Sequence, residues 1–369
     1  MLVTLGLIVL SSAGSVNALR IHHDQYFFFK RQVAYALVGA VMAVATAKFD
    51  YRNWRKHPGL AIALYLAILV LLTAVLFTRP INGSCRWIKL AFFNLQPSEL
   101  AKLAAVICTA AYLDKLAWRV EFFWKGGVLS AAIFGAMAAL IMKEPDFGST
   151  MVVVSAGLLM MFLAGVRFTH LMLFAAAGVV TVGWYVAHNA NRMARIAAFL
   201  AAVFPALVNP GGEVAEEPMD PAAKRADYQS RQSLVAIKNG GLTGVGLGQS
   251  MQKQAYLPEA HTDFIFAIGA EEMGIAFSVV TVALFMAFFL LSTYVAAHAP
   301  DKFGKYLASG MAFIIFFQSM FNIGVVCRAL PTKGMALPFF SYGGTNMLSA
   351  FIAVGTIFSV GIKALKENK

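Results

Sequence analysis

The sequence predicts an all-α polytopic membrane protein, a single integral membrane domain over 1–369, with about ten transmembrane helices. Three observations carry that expectation. Hydrophobic residues make up 59% of the chain and charged residues 13%, where a soluble domain has roughly a quarter of its residues charged, and the mean hydropathy is +0.70. Apolar stretches near the ~20 residues that cross a bilayer recur from end to end. One long hydrophilic interruption, roughly 189–261, breaks the series between the seventh and eighth stretches.

The stretches fall at roughly 1–18, 31–48, 59–78, 97–114, 126–143, 148–166, 168–188, 264–295, 305–327 and 343–363. The first resembles a signal peptide, because Val16, Asn17 and Ala18 have the spacing of a small-residue cleavage site. It has no basic leading region and nine spans follow it, so a retained first helix is the reading. With the N-terminus cytoplasmic, thirteen Lys and Arg lie in inner segments and nine in short outer loops, a mild positive-inside bias. The interruption at 189–261 is then a large extracytoplasmic loop. Cys85, Cys108 and Cys327 form neither a CxxC pair nor an even framework, so they read as packing residues. The net charge of +12 punctuates apolar spans, which points to anionic headgroups or a pyrophosphate-bearing lipid rather than nucleic acid.

Within the outer loop, 209–221 is rich in Pro, Gly and acid and reads as a mobile excursion. Ser230–Ile237 has the pattern of a short amphipathic helix, and Gln232 on it is a candidate for substrate contact. Gly240, Gly241, Gly244, Gly246 and Gly248 then form a glycine-dense turn. No Gly-Lys-Ser/Thr follows and no βαβ unit surrounds it, so tight packing explains it better than a phosphate loop.

The polar groups at the edges of the spans are the candidates for chemistry. Glu259, His261 and Asp263 stand where the outer loop becomes the eighth span. An acid at a membrane boundary is either a cap of the following helix or a functional group lining a watery cavity. Gln96, Pro97, Ser98, Glu99 and Lys102 open the fourth span; Glu99 and Lys102, three apart, share a face as a buried ion pair or a substrate contact. Glu144 and Asp146 lie in the turn between the fifth and sixth spans. Arg192 and Arg195, one turn apart, suit phosphate or lipid headgroups. From Asn322 to Gly344, prolines and glycines among apolar residues argue for an irregular re-entrant segment, which survives at membrane depth only against protein or water.

These motifs carry a resemblance. Arg86-Trp87-Ile88, the Gln96–Lys102 motif, Pro258-Glu259-Ala260-His261-Thr262-Asp263 and Ser341-Tyr342-Gly343-Gly344, in this order, resemble the SEDS family of bacterial cell-wall polymerases (FtsW, RodA, SpoVE) over nearly the whole chain. Ala260, where the elongation branch more often has Gln, makes the chain more similar to the division branch, FtsW. Three places depart from the pattern: the acidic stretch 209–221, Arg328 where Gly is common, and Asn346 where Ser is usual.

The resemblance implies a septal peptidoglycan glycosyltransferase that polymerises lipid II on the outer face of the cytoplasmic membrane. Asp263 matches the family's essential acid and is the expected general base. Arg86, Lys102, Arg192, Arg195 and Lys333 are the expected cations for the pyrophosphate, and Glu99, Glu144, Asp146, Gln232, Glu259, His261 and Ser341 complete the expected substrate-binding set. A single assigned acid suits an inverting displacement whose leaving group is already a stable anion; a retaining glycosidase would need a second carboxylate about 5 Å away. Glu259, one turn before Asp263, either raises its pKa by like-charge repulsion or is a plain loop acid. No cofactor is demanded by the motifs; a divalent cation, Mg or Mn, bridging carboxylate and pyrophosphate is chemically reasonable. The expected partners are a class B penicillin-binding protein, which would supply crosslinking, and other division proteins. A lipid flippase, an elongation-type polymerase and an inactive scaffold are the alternatives; the sequence shows no internal repeat of the kind transporters carry.

Overall fold

The computed structural model describes residues 1–78, 85–89, 94–188, 193, 196–197, 199–200, 221–254 and 256–367. Among them the chain runs through α1 (Leu2–Ala13), α2 (Ser15–His22), α3 (Phe27–Lys48), α4 (Asn53–Lys56), α5 (Pro58–Val75), α6 (Pro97–Leu116), α7 (Leu129–Lys143), α8 (Phe147–Ala164), α9 (Phe168–Ala187), α10 (Pro221–Gly240), α11 (Ile265–Ala297), α12 (Lys302–Val326) and α13 (Gly344–Glu367). The only described strands, β1 (Ile88–Lys89) and β2 (Asn94–Leu95), pair antiparallel with Ile88 opposite Leu95. Eight described helices are long and apolar enough to cross a membrane, or up to nine with α1 and α2 taken as one bent span. α6 falls outside that set because Glu99, Lys102, Asp114 and Lys115 interrupt its apolar run. The protein is a multi-pass helical membrane protein.

Local chemistry sets the boundaries. Pro58, Pro97 and Pro221 are the first residues of α5, α6 and α10, where a missing N–H costs nothing because no helical carbonyl precedes it. The Asp146 carboxylate accepts the backbone N–H of Ser149 and caps α8, which ends at Gly165 with φ 90°. Three elements differ from the sequence expectation. The first span is bent by 54° between α1 and α2, at a Gly14–Ser15 pair where Ser15 Oγ turns back to Ser12 O (2.7 Å). The helix expected at Ser230–Ile237 is α10, which starts at Pro221, since the residues between supply good helix formers such as Ala222, Ala223 and Lys224. The eighth span is not one rod. At 33 residues α11 would be about 50 Å long, more than the ~30 Å of hydrocarbon, and it breaks at Gly274 (φ 72°). Residues 275–297, about 35 Å, are left to span.

The chain folds as two compact units. One comprises Arg31–Ala175, Leu284–Gln318 and Gly343–Lys369. Its core brings α5, α6, α7 and α8 together through Ile68, Leu72, Met137, Ile141, Val153 and Met161. Ala101, Ala104 and Ala105 keep the α6 face low enough for close approach. At one end of this unit Arg52 pairs with Asp301 (3.0 Å) and Glu367 (2.6 Å), Arg55 with Asp114 (2.8 Å), and Lys363 with Asp50 (2.8 Å). Those pairs tie the ends of α3, α6 and α13 to the turn before α12, so these four helix ends share one membrane face.

The other unit comprises Met1–Lys30, Ala176–Ala283 and Ser319–Tyr342. Its centre is the front piece of α11, where every residue from Phe264 to Glu272 is buried. The glycine-dense turn threads against the break in α11. Val245 N–H donates to Glu271 O and Gly246 N–H to Glu272 O, while Ile275 N–H donates to Gly241 O, all at 3.0 Å. A side chain at Gly244, which also sits at φ 83°, would overlap the Glu272 carbonyl. Packing, as expected, accounts for this glycine.

Candidate active site

Asp263 occupies the last turn before the buried front of α11, and its loop is gripped through consecutive carbonyls. Tyr342 N–H donates to His261 O (3.0 Å), Ser341 Oγ–H to Thr262 O (2.5 Å), and Asn322 Nδ2–H to Asp263 O (2.8 Å). The same Asn322 amide donates to Met335 O (2.5 Å), so one side chain on α12 joins the Asp263 loop to the Lys333–Gly334–Met335 segment. Gly334 lies against the Asp263 carboxylate, and a Cβ there would overlap Oδ2. Lys333, half-buried, immediately precedes it. An acid and a cation are thereby held on adjoining irregular segments, backed by helices on either side.

The neighbours of Asp263 have distinct roles. His261 stacks on Phe28 with ring centroids 4.6 Å apart, and burial lowers its pKa, with Glu259 opposing; at neutral pH it is an uncharged ring. Glu259 is exposed, sits at φ 57°, and its carboxylate accepts the Thr262 hydroxyl (2.8 Å). Ser341 is 1% exposed; its oxygen also accepts Leu337 N–H (2.7 Å), which places it behind the loop. Gln232 is half-buried on α10. Ser233 beside it fixes that helix by donating to Val326 O (2.9 Å).

A second polar cluster lies within the other unit. Lys102 Nζ meets Glu99 Oε1 at 2.8 Å and Gln318 Oε1 at 2.6 Å, while Ser349 Oγ–H donates to Glu99 Oε2 (3.0 Å). The two charged side chains are only 3% and 6% exposed. Gln318 Nε2–H continues to Asn346 Oδ1 (3.2 Å), so the departure at Asn346 belongs to this network. Asp146 accepts from Ser149 (2.8 Å), Gln96 (3.3 Å) and Ser98 (3.3 Å), and Gln96 N–H donates to Thr345 Oγ1 (3.1 Å).

Beside Asp146, Glu144 is fully buried, and neither of its carboxylate oxygens has a hydrogen-bond partner. Burial first, then the Asp146 charge, pushes its pKa up to about 8 against the pull of Arg86. Arg86 spends its guanidinium on main chain, donating to Glu144 O (3.1 Å) and to Pro145 O.

The structure thus gathers Asp263, Glu259, His261, Gln232, Lys333 and Ser341 in one unit and Arg86, Glu99, Lys102, Glu144 and Asp146 in the other. Arg192, Arg195 and the stretch 209–220 lie outside the described residues. Arg328, the other departure, pairs with Asp227 (2.5 Å), at φ 57°. Sequence reasoning missed Asn322, Gln318 and Ser349 as partners, because an uncharged amide or hydroxyl inside an apolar helix gives no sign of what it will meet. Among the described residues no three or more His, Cys, Asp or Glu side chains converge as metal ligands.

A helical bundle of many spans, with an acid fixed at the start of a span in one unit and a buried ion pair within the other, defines a polytopic membrane protein. The FtsW/RodA/SpoVE model, described as a cell cycle protein family, matches residues 1–365, and the chain belongs to that family. It is 36% identical to the probable peptidoglycan glycosyltransferase FtsW of Geobacter metallireducens, over 97% of this chain and 91% of that one. The protein of the same name from Pseudomonas fluorescens is 36% identical over 97% of this chain and 85% of its own. Two solved structures share the fold at 24% identity. One, from a peptidoglycan synthase complex that coordinates polymerization and crosslinking, matches with a TM-score of 0.73 over 98% of this chain and 97% of that one. The other, the rod shape determining protein RodA of Thermus thermophilus, matches with a TM-score of 0.67 over 98% and 93%.

Proposed function

We propose that this protein is a septal peptidoglycan glycosyltransferase that polymerises lipid II at the outer face of the cytoplasmic membrane, with Asp263 as general base. The observation that carries the reading is the grip on His261, Thr262 and Asp263, which holds one carboxylate against Gly334 beside Lys333. The FtsW names of the relatives supply the reaction class. In the step, the acceptor C4 hydroxyl gives its proton to the Asp263 carboxylate as its oxygen bonds to C1 of the donor sugar. The C1–oxygen bond to the pyrophosphate breaks, the electron pair leaves with the pyrophosphate, and C1 inverts. A positioned base of this kind supplies about 10²–10⁴-fold. Lys333, next in the chain to Gly334, is the candidate cation for the departing charge. Were a divalent cation, Mg or Mn, used, Asp263 would be the carboxylate to hold it, and the ion would supply positive charge to the departing pyrophosphate.

The glycan would be crosslinked by a partner of the class B penicillin-binding type; the solved complex of the same fold supports such an assembly. The test is polymerisation of purified lipid II with that partner, comparing wild type with Asp263→Asn on a glycan-strand gel. Strands are expected from wild type and at least a hundredfold fewer from the variant. Equal strands from both would remove Asp263 from the chemistry, and none from wild type would send the question to a lipid-flipping assay.

A further inference from the structure

The unit that holds Asp263 contains a second set of buried charges that the proposed chemistry does not use. Lys253 Nζ pairs with Glu272 Oε1 at 3.0 Å, with the two side chains 6% and 0% exposed. Both reach the same hydroxyl on α1: Lys253 Nζ donates to Ser12 Oγ (2.7 Å), and Ser12 Oγ–H donates to Glu272 Oε1 (2.5 Å). The adjacent Glu271 carboxylate accepts Ser250 Oγ–H and Gln252 N–H (3.3 Å), while Glu272 Oε1 also accepts Ser250 N–H (3.3 Å).

The positions along the chain give this cluster its meaning. Asp263 heads the buried front of α11, and Glu271 and Glu272 stand at the rear of the same short piece, just before the break at Gly274. The segment they grip, Ser250–Lys253, is the start of the loop that returns to Asp263. The loop is therefore closed at its root by side chains carried on the helix that its tip begins. A buried ion pair adds little net stability over apolar residues of the same volume. What it fixes is register: Lys253 finds an anion and a hydroxyl acceptor in only one seating, and a shifted loop would leave a charge buried alone.

We propose that Lys253, Glu272 and Ser12 form a register lock whose role is to position Asp263. These are positioning residues, and the inference rests on the reading of Asp263 as the base. The lock also makes α1 a working part of the site, since Ser12 is its only contribution to the cluster among the described bonds.

The test uses the full chain in detergent with its partner, with three variants. Lys253→Met/Glu272→Gln removes both charges together, so neither is left buried alone; Ser12→Ala keeps the ion pair and removes the shared hydroxyl; Lys253→Arg keeps the charge. For the neutral pair the expected result is a melting temperature close to wild type, kcat for lipid II down at least tenfold, KM within twofold, and amide exchange across 256–264 at least tenfold faster. Ser12→Ala should lose about threefold in kcat with a smaller rise in exchange, and Lys253→Arg should recover most of the activity. Wild-type kcat and exchange in the neutral pair would overturn the lock. If that variant does not fold, Ser12→Ala decides, and unchanged exchange and kcat there overturn it equally. If wild type polymerises nothing, the base assignment to Asp263 falls while the exchange comparison still decides whether the lock holds the loop.

Discussion

Gly334 is where a single hydrogen atom in place of a methyl group leaves room for the Asp263 carboxylate. Gly334→Ala would push that carboxylate aside without touching the core, since residue 334 itself is exposed. The expected outcome is a loss of tenfold or more in kcat with the melting temperature within a degree or two of wild type; parallel activity and melting measurements check it. Position alone read Asp263 as either a helix cap or a functional acid; its expected role as base came from the resemblance. Asn322 was not legible, because its meaning is two carbonyls that come from distant points of the chain. Glu144 was legible as a candidate but not as a neutral acid, which follows only from its complete burial. Its folded pKa of about 8 lies above the ordinary carboxylate range, so folding takes up a proton. Its contribution to stability is fully present below about pH 4.5, declines as pH rises, and is gone once the folded pKa is passed. Glu144→Gln removes that dependence. Wild type should melt progressively lower between pH 6 and 9, with the variant flatter over the same range; identical slopes would place the proton elsewhere.

At the scale of elements, the helices were readable from apolar length and their breaks were not. Composition gave α3, α5, α8, α9 and α13 within a few residues, because a bilayer demands the length. The bend at Gly14 and the break in α11 depend on what packs beside them. At Gly274 the helix gives up its own bonds because Val245, Gly246 and the Gly241 carbonyl replace them. Gly244→Ala should therefore be severe, adding both a left-handed φ and an overlap with the Glu272 carbonyl. Loss of the folded fraction in size-exclusion chromatography is the expected result, whereas a side chain at Gly59, which would meet nothing nearby, should be tolerated. Glu99 and Lys102, read as either a buried ion pair or a substrate contact, form a buried pair with Gln318 and Ser349 as further partners. Lys102→Met leaves Glu99 charged and nearly buried, at a cost of about 3–5 kcal/mol. Thermal melting in detergent should show that loss, and adding Glu99→Gln should recover much of it.

At the scale of the whole molecule, the alternation of spans ties chemistry to a membrane face. The ion pairs among Arg52, Arg55, Asp114, Asp301 and Glu367 gather helix ends at one face. In the unit that holds Asp263, α12 ends at Val326, one residue before Cys327. Asn322 on that last turn bonds Asp263, so Cys327 reports the side on which the proposed base works. It is an exposed thiol, while Cys108 is buried and Cys85 only partly accessible. A membrane-impermeant maleimide applied to intact cells should label Cys327 if the proposed base faces outward. The signal should disappear in Cys327→Ser and should not increase when the cells are opened. Labelling that appears only after permeabilisation would turn the molecule over, placing Asp263 on the cytoplasmic face and overturning the proposed polymerisation at the outer face.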